Sequence, residues 1–312
     1  MVHAGHVDRL ITDRDIADAD LSLIEIYHLV VEGFQLHGRG EAECPPKVGI
    51  HTRPGAFTHA MPAYLPTKDL AGTKLVSVYP DNPTRGLAST SGLILMLDPE
   101  TGAVTDQLDA AWVTKVRTAM VSMVDATWLG NPDPVFGIVG ATGVTGRAHL
   151  DAIAAVFPGS RVLVGSRSPE RLRDLLTDYA DAPIEIVAAP SDEAITRRSD
   201  VLIVCTSHLA QPILKAEWLH PGHNILNVHS RAWSPDVLAA VDLVSCDDRR
   251  PVIDPQNGLV ALYPGLAPDV ELGQVVAGAR TGRVSAEQTI MSFNYGLAIF
   301  DILVADYVRA RL

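Results

Sequence analysis

The residues best suited to chemistry begin with a glycine triplet. Phe136-Gly-Ile-Val-Gly140 reads as a short buried strand, and Gly140-Ala-Thr-Gly143-Val-Thr-Gly146 as a turn opening into a helix at Arg147–Ile153. Glycine lets a backbone bend sharply and approach a ligand, while the N–H groups of a helix's first turn have no partners within the helix and attract an anion. The spacing is GxxGxxG, not the stricter GxGxxG. Its place after a strand, before a helix and inside a βαβ unit marks it as a pyrophosphate turn. Gly140, Thr142, Gly143, Val144 and Thr145 are therefore candidates to cradle phosphates. The competing reading is a strand–helix turn that binds nothing.

A second signal lies at the end of the next strand, where an acid would hold the ribose 2′-hydroxyl of NAD. Val162-Leu-Val164 runs instead into Gly165-Ser166-Arg167-Ser168, with no carboxylate. Arg167 can pair with a 2′-phosphate, and Ser166 and Ser168 can donate to it, so NADP is favoured over NAD. The bland alternative is a solvated arginine, because Arg171 and Arg173 make the following helix basic anyway. A third signal is Lys74, which begins an otherwise apolar run where an ammonium is not placed merely for packing. With Arg117 it could fix a small carboxylate, against the alternatives of a strand-edge lysine and a helix-surface ion pair.

These residues need elements to position them. Residues 14–40 read as one helix ended by Gly38 and Gly40, with Leu21, Ile24, Leu29, Val30 and Phe34 at helical spacing. Short strands follow at Val48–His51, Lys74–Tyr79 and Leu93–Leu97, with a hairpin turn at Asp98–Gly102. Thr114 is placed to cap a helix over about 115–129. Asn131-Pro-Asp-Pro134 breaks the chain. Beyond it, apolar strands at Phe136–Val139, Arg161–Val164, Ile184–Val187, Asp200–Cys205, Ile225–Val228 and Leu243–Cys246 alternate with helices, the pattern of a parallel sheet covered on both faces. Ser285–Leu312 reads as one long helix. The expected class is α/β: a Rossmann-type doubly wound parallel sheet over 131–295, plus an α+β substrate and dimerisation domain over 1–130 completed by a C-terminal helix at 296–312.

Composition narrows the function. The 312 residues are 47% hydrophobic and 20% charged, an ordinary globular mixture. A formal net charge of -12 leaves no cationic surplus for nucleic acid. Cys44, Cys205 and Cys246 lie far apart with no CxxC pair, which suits a reducing compartment and argues against both a disulfide framework and a structural zinc site. Neither a signal peptide nor a membrane span is expected, so the cytoplasm is the default.

With these residues in view, the chain resembles the ornithine cyclodeaminase/mu-crystallin family along nearly its whole length. The resemblance rests on Met61-Pro-Ala-Tyr64, Gly72-Thr-Lys-Leu-Val76, Tyr79-Pro-Asp-Asn82, Gly86-Leu87, Leu108-Asp109, Thr114-Lys-Val-Arg117-Thr-Ala119, Thr142–Leu150, Pro221-Gly222 and Phe293-Asn-Tyr-Gly296 with Asp301. It implies a homodimer whose Lys74 and Arg117 bind a substrate carboxylate beside a nicotinamide. A further cation comes from Lys47, or from Arg53 in its stead. Ser89, Thr206, Ser207, His229, Asn294, Gly296 and Arg117 join the candidate cofactor residues, and His59 and Arg231 the candidate catalytic ones. Asn294 and Asp301 would border the nicotinamide, or serve as a helix cap or an ion pair.

Three departures from the family pattern bear on the reaction. The glycine loop is one residue longer than usual. His59 stands where cyclodeaminases often have glutamate. Arg231 occupies the place of the aspartate that handles the amine during ring closure, and an arginine cannot act as a carboxylate base. The expected activity is NADP-dependent reduction of a small carboxylate-bearing imine, or the reverse amino-acid dehydrogenation. The alternatives are an ammonia lyase with bound NAD and a non-catalytic NADP-dependent binding protein.

Overall fold

The structure, a computed structural model, describes Val7 and residues 9–206, 209–229, 231–255 and 258–312. The chain divides into two compact units. One runs to Arg117 and resumes over Leu297–Leu312, and the other is Thr118–Gly296. The cut thus falls inside a long helix, Ala110–Leu129.

The first unit is built on a six-stranded sheet of β1 (Arg9–Ile11), β2 (Val48–Arg53), β3 (Ala56–Leu65), β4 (Leu70–Val78), β5 (Thr90–Leu97) and β6 (Val104–Asp109). Their order is β1-β6-β5-β4-β3-β2, antiparallel except for β1 beside β6. Strand alternation explains its core: Met61, Lys74, Ile94 and Leu108 stand opposite one another across four strands, all buried on one face. The helix Ala298–Arg309 packs on that face through Ile302. At Gly72 a Cβ would come within 2.6 Å of Ile302 Cδ1 and 2.7 Å of the Leu95 carbonyl, so only glycine lets the helix this close. The helix Leu23–Gly38 packs in turn on Ala298–Arg309, with the Phe34 and Phe300 rings 4.6 Å apart. The opposite sheet face also carries apolar side chains, of which Val48, Ile50 and Leu75 are exposed.

Two helices replace the single one expected over 14–40. Thr12 forms a capping box with Asp15 at the start of Asp13–Ala17, and Ser22 caps Leu23–Gly38 by accepting from the Glu25 N–H. Each cap bond satisfies a first-turn amide and starts a new helix. The Asp98–Gly102 turn is present, closed by Gly102 N–H to the Asp98 carbonyl at 2.8 Å. Thr114 caps nothing, because its helix already begins at Ala110.

The second unit is an eight-stranded sheet of β7 (Phe136–Val139), β8 (Arg161–Val164), β9 (Glu185–Ala188), β10 (Val201–Val204), β11 (Asn224–Asn227), β12 (Leu243–Cys246), β13 (Val270–Glu271) and β14 (Ile290–Phe293). The order is β13-β12-β14-β11-β10-β7-β8-β9, with each pairing parallel. The expected long helix over 285–312 is corrected by β14, which lies between β11 and β12. A four-residue apolar run carries no periodicity that separates strand from helix, and its central place in the sheet decided the outcome. Strand order reverses between β7 and β10, the switch point where doubly wound sheets open a crevice at the strands' carboxyl ends. The fold class is α/β, a Rossmann-type parallel sheet plus an α+β unit. Among the described residues no helix is long and apolar enough to cross a membrane, and no three His, Cys, Asp or Glu side chains gather to hold a metal ion.

Gly72→Ala tests the packing of the first unit. The added methyl should cost about 1–3 kcal/mol, read as a lowered urea midpoint with an unchanged slope. An unmoved midpoint would contradict the packing described.

Candidate functional site

Lys74 points from the middle of β4 into the core and is fully buried. Its Nζ donates to Asp301 Oδ1 at 2.6 Å and to Thr114 Oγ1 at 3.4 Å. Arg117 Nε donates to the same Asp301 Oδ1 at 3.0 Å. Asp301 Oδ2 is buried and has no hydrogen-bond partner among the described residues. Loss of water pushes the Lys74 ammonium down to about 7; Arg117 and Lys47 push the same way, and Asp301 opposes them. Lys47 is thus close enough to be felt by Lys74, and it acts on His59 as well. Arg53, at the end of β2, is exposed and donates to the carbonyl of Thr52 at 2.7 Å.

His59 is half-buried and stacked on Phe57, with ring centroids 4.4 Å apart. Desolvation, Lys47 and His51 bring its imidazole down to about 4, so it is neutral at physiological pH and a weak base there. Lys74, near 7, is the better matched proton carrier. Ser89 sits in the loop before β5, its carbonyl accepting from Tyr79 N–H at 2.8 Å.

In the second unit the glycine turn brings backbone segments close together. Gly140 has φ +93°, and a Cβ there would come within 3.0 Å of Thr206 N and Oγ1, so the residue after β7 lies close against the second residue after β10. At Gly146 a Cβ would sit 2.4 Å from the Gly140 carbonyl, which only glycine permits. Gly143 caps the helix Val144–Val156 without a side chain, and among the described residues a Cβ there would meet only the Gly140 carbonyl oxygen, at 3.5 Å. Val144 and Thr145 follow in the first turn, and Thr142 is half-buried. A phosphate can therefore reach the N–H groups of that turn.

Around this crevice, His229 donates its backbone N–H to the Val204 carbonyl at 3.1 Å. Arg231 is exposed, and among the described residues it forms no salt bridge with Asp247 or Asp248. Asp248 pairs with Arg250 at 2.7 Å, and Asp247 accepts from the N–H groups of Asp248 and Gly296. Asn294 donates to Asp125 Oδ2 at 3.4 Å, and Asn224 to Asp125 Oδ1 at 3.2 Å, while burial pushes the Asp125 carboxyl up to about 6. Ser168 caps the helix Pro169–Asp178, Ser166 accepts from the Ser168 N–H at 3.1 Å, and Arg167 is exposed. Arg167 acts on Asp192, pulling down a carboxyl that burial pushes up. Ser207 lies outside the described residues.

The structure gives Asp301 the ion-pair role among the three open to it. The signal available for that choice was a lone acid in the apolar run Ala298–Val304. Asp125 and His149 are both fully buried; the sequence offers no signal for Asp125, and His149 enters it only as part of the Thr142–Leu150 motif.

The model of the ornithine cyclodeaminase/mu-crystallin family matches residues 8–312. The chain belongs to this family. Among its relatives, the nodulation efficiency protein NfeD of Rhizobium meliloti is 31% identical over 303 residues, covering 96% of this chain and 94% of that protein. The Δ1-pyrroline-2-carboxylate reductase of Thermococcus litoralis, solved with NADH and L-proline, is 26% identical with a TM-score of 0.85, covering 97% and 96% of the two chains. An archaeal alanine dehydrogenase dimer with bound NAD is 28% identical with a TM-score of 0.84, covering 97% and 95%. The family name thus spans reductases, dehydrogenases and cyclodeaminases.

An anion placed on Lys74 favours its charged form, which is fully present below about 7 and lost as pH rises through that value. A small 2-oxo acid such as pyruvate should therefore bind about tenfold more weakly at pH 8 than at pH 6. Calorimetry should also show proton uptake on binding near pH 7, and the Lys74→Met variant should show neither effect. Affinity independent of pH across this range would count against Lys74 as the anion's partner.

Proposed function

We propose that this chain is a nicotinamide-dependent oxidoreductase, preferring NADP, that reduces the C=N bond of a small carboxylate-bearing imine to an amino acid and can run in reverse. The observation that carries this reading is the buried cluster of Lys74 and Arg117 on Asp301. It is cationic enough to seek a carboxylate and holds an ammonium that exchanges its proton near neutrality. The relatives solved with NADH and L-proline and with NAD support the chemistry.

When bound, the nicotinamide supplies or accepts the hydride. The chain's residues do the rest. Gly140–Gly146 and Thr206 receive the pyrophosphate, with Arg167 at the 2′-phosphate and Ser166 and Ser168 beside it. Lys74 and Arg117, aided by Lys47, fix the carboxylate and so orient the carbon that changes oxidation state. Lys74 delivers the proton that leaves a neutral imine protonated, and takes it back in the other direction. Arg231 is cationic where ring-closing deamination needs a carboxylate, which favours reduction over a lyase reaction. The exposed apolar residues Val48, Ile50 and Leu75 on the outer sheet face suit cover by a second copy, in keeping with the dimeric alanine dehydrogenase. NAD is the second reading for the cofactor, favoured by Asp192 lying within the influence of Arg167.

The test is a screen of NADPH and NADH oxidation with cyclic imino acids, and with 2-oxo acids plus ammonia or methylamine. Stoichiometric consumption of NADPH is the expected result. Release of ammonia from a diamino acid without change in nicotinamide absorbance would overturn it in favour of the lyase. Arg167→Ala should lower kcat/KM with NADPH by about ten- to a hundredfold, the worth of a charge-assisted bond to phosphate, and leave NADH little changed. Equal losses with both dinucleotides would remove the case for NADP.

A further inference from the structure

His149 lies one turn beyond the glycine loop, fully buried, and no step proposed so far uses it. Its Nδ1 is 2.8 Å from the carbonyl of Thr145, and its Nε2 is 2.9 Å from Ser122 Oγ on the helix Ala110–Leu129. The Cys205 sulfur, just after β10, is 3.6 Å from Nδ1. A carbonyl can only accept, so Nδ1 carries the hydrogen, and Nε2 is left to accept from the Ser122 hydroxyl. Burial holds the ring down to about 4, so this neutral tautomer persists at physiological pH.

The ring therefore ties three pieces of the second unit together at one point: the first turn of Val144–Val156, the Ser122 stretch of the preceding helix and the end of β10. The Thr145 carbonyl belongs to the peptide plane that also carries the Gly146 N–H. Fixing that carbonyl fixes the direction of one amide in the turn, and the packed helix carries its neighbours on Val144 and Thr145 with it. Such a brace matters most where amides must be aimed before the ligand arrives, because preorganised donors lose little freedom on binding.

We propose that His149 is a positioning residue for the dinucleotide, holding the first-turn amides of Val144, Thr145 and Gly146 in the orientation that receives the pyrophosphate. This rests on the reading of the glycine turn as the cofactor's phosphate site. The role differs from mere core filling, because it depends on the bond from Nδ1 to Thr145 and not on the volume of the ring.

The test uses the full chain and direct titration with NADPH, or with NADH if that is the dinucleotide it binds, followed by nicotinamide fluorescence. His149→Phe keeps a ring and removes both bonds; its Kd should rise about tenfold, with KM for the dinucleotide rising in step and kcat at saturation within about twofold of the parent. His149→Asn, whose side-chain amide can reproduce the Nδ1 donor, should recover most of the affinity. Ser122→Ala removes only the hydroxyl that fixes the tautomer and should weaken binding severalfold; it decides the matter if His149→Phe does not fold. A folded His149→Phe protein with unchanged Kd, an Asn variant no better than Phe, or an unaffected Ser122→Ala protein would overturn the proposal. Failure of the parent protein to bind either dinucleotide would instead bring down the underlying reading of the turn.

Discussion

Lys74 is an ammonium set in the middle of a sheet, away from water, and the carboxylate of Asp301 at 2.6 Å is what makes that placement tolerable. A buried ion deprived of its partner costs on the order of 3–5 kcal/mol. Much of the first unit can be understood as the means of delivering Asp301. The Ala298–Arg309 helix has to lie close against β4, which Gly72 permits, and it has to be braced from behind, which Phe34 provides. Arg117 reaches the same oxygen from the long helix, so one carboxylate organises two cations brought together from distant parts of the chain.

The same pairing also bears on the protonation of the lysine. In water its proton would be held far too firmly for exchange at neutral pH. Desolvation and the neighbouring Arg117 and Lys47 loosen it, while Asp301 keeps it from being lost altogether. The second unit works on another principle, presenting backbone amides at a glycine turn where two strands part. There His149 bonds the Thr145 carbonyl of the backbone, and Ser122 bonds the other side of the His149 ring.

How much of this was legible in the amino-acid order depended on the range of the interactions. The strands β7, β8, β10 and β12 were readable because a strand covered on both faces shows itself as a short apolar run. The glycine turn was readable because its chemistry is local. β3 was not assigned as a strand: Pro62 and His59 interrupt its alternation, and its middle residues are only half-buried. β14 was absorbed into a helix for want of periodicity. The role of Asp301 could not be chosen, since its partner Lys74 stands 227 positions away. His149 resembles any packing histidine until the Thr145 carbonyl and Ser122 hydroxyl are seen on either side of its ring.

The position of β14 has a consequence for how the chain matures during translation. β12 and β13 join the rest of their sheet only through β14, although both are made before it. The Ala298–Arg309 helix, later still, completes the other unit. A nascent chain halted before Ile290 would therefore show an open edge on β11 and an uncompensated ammonium at Lys74 at once. Each unit is thus closed by an element that follows most of its other parts in the chain, β14 in one and the Ala298–Arg309 helix in the other.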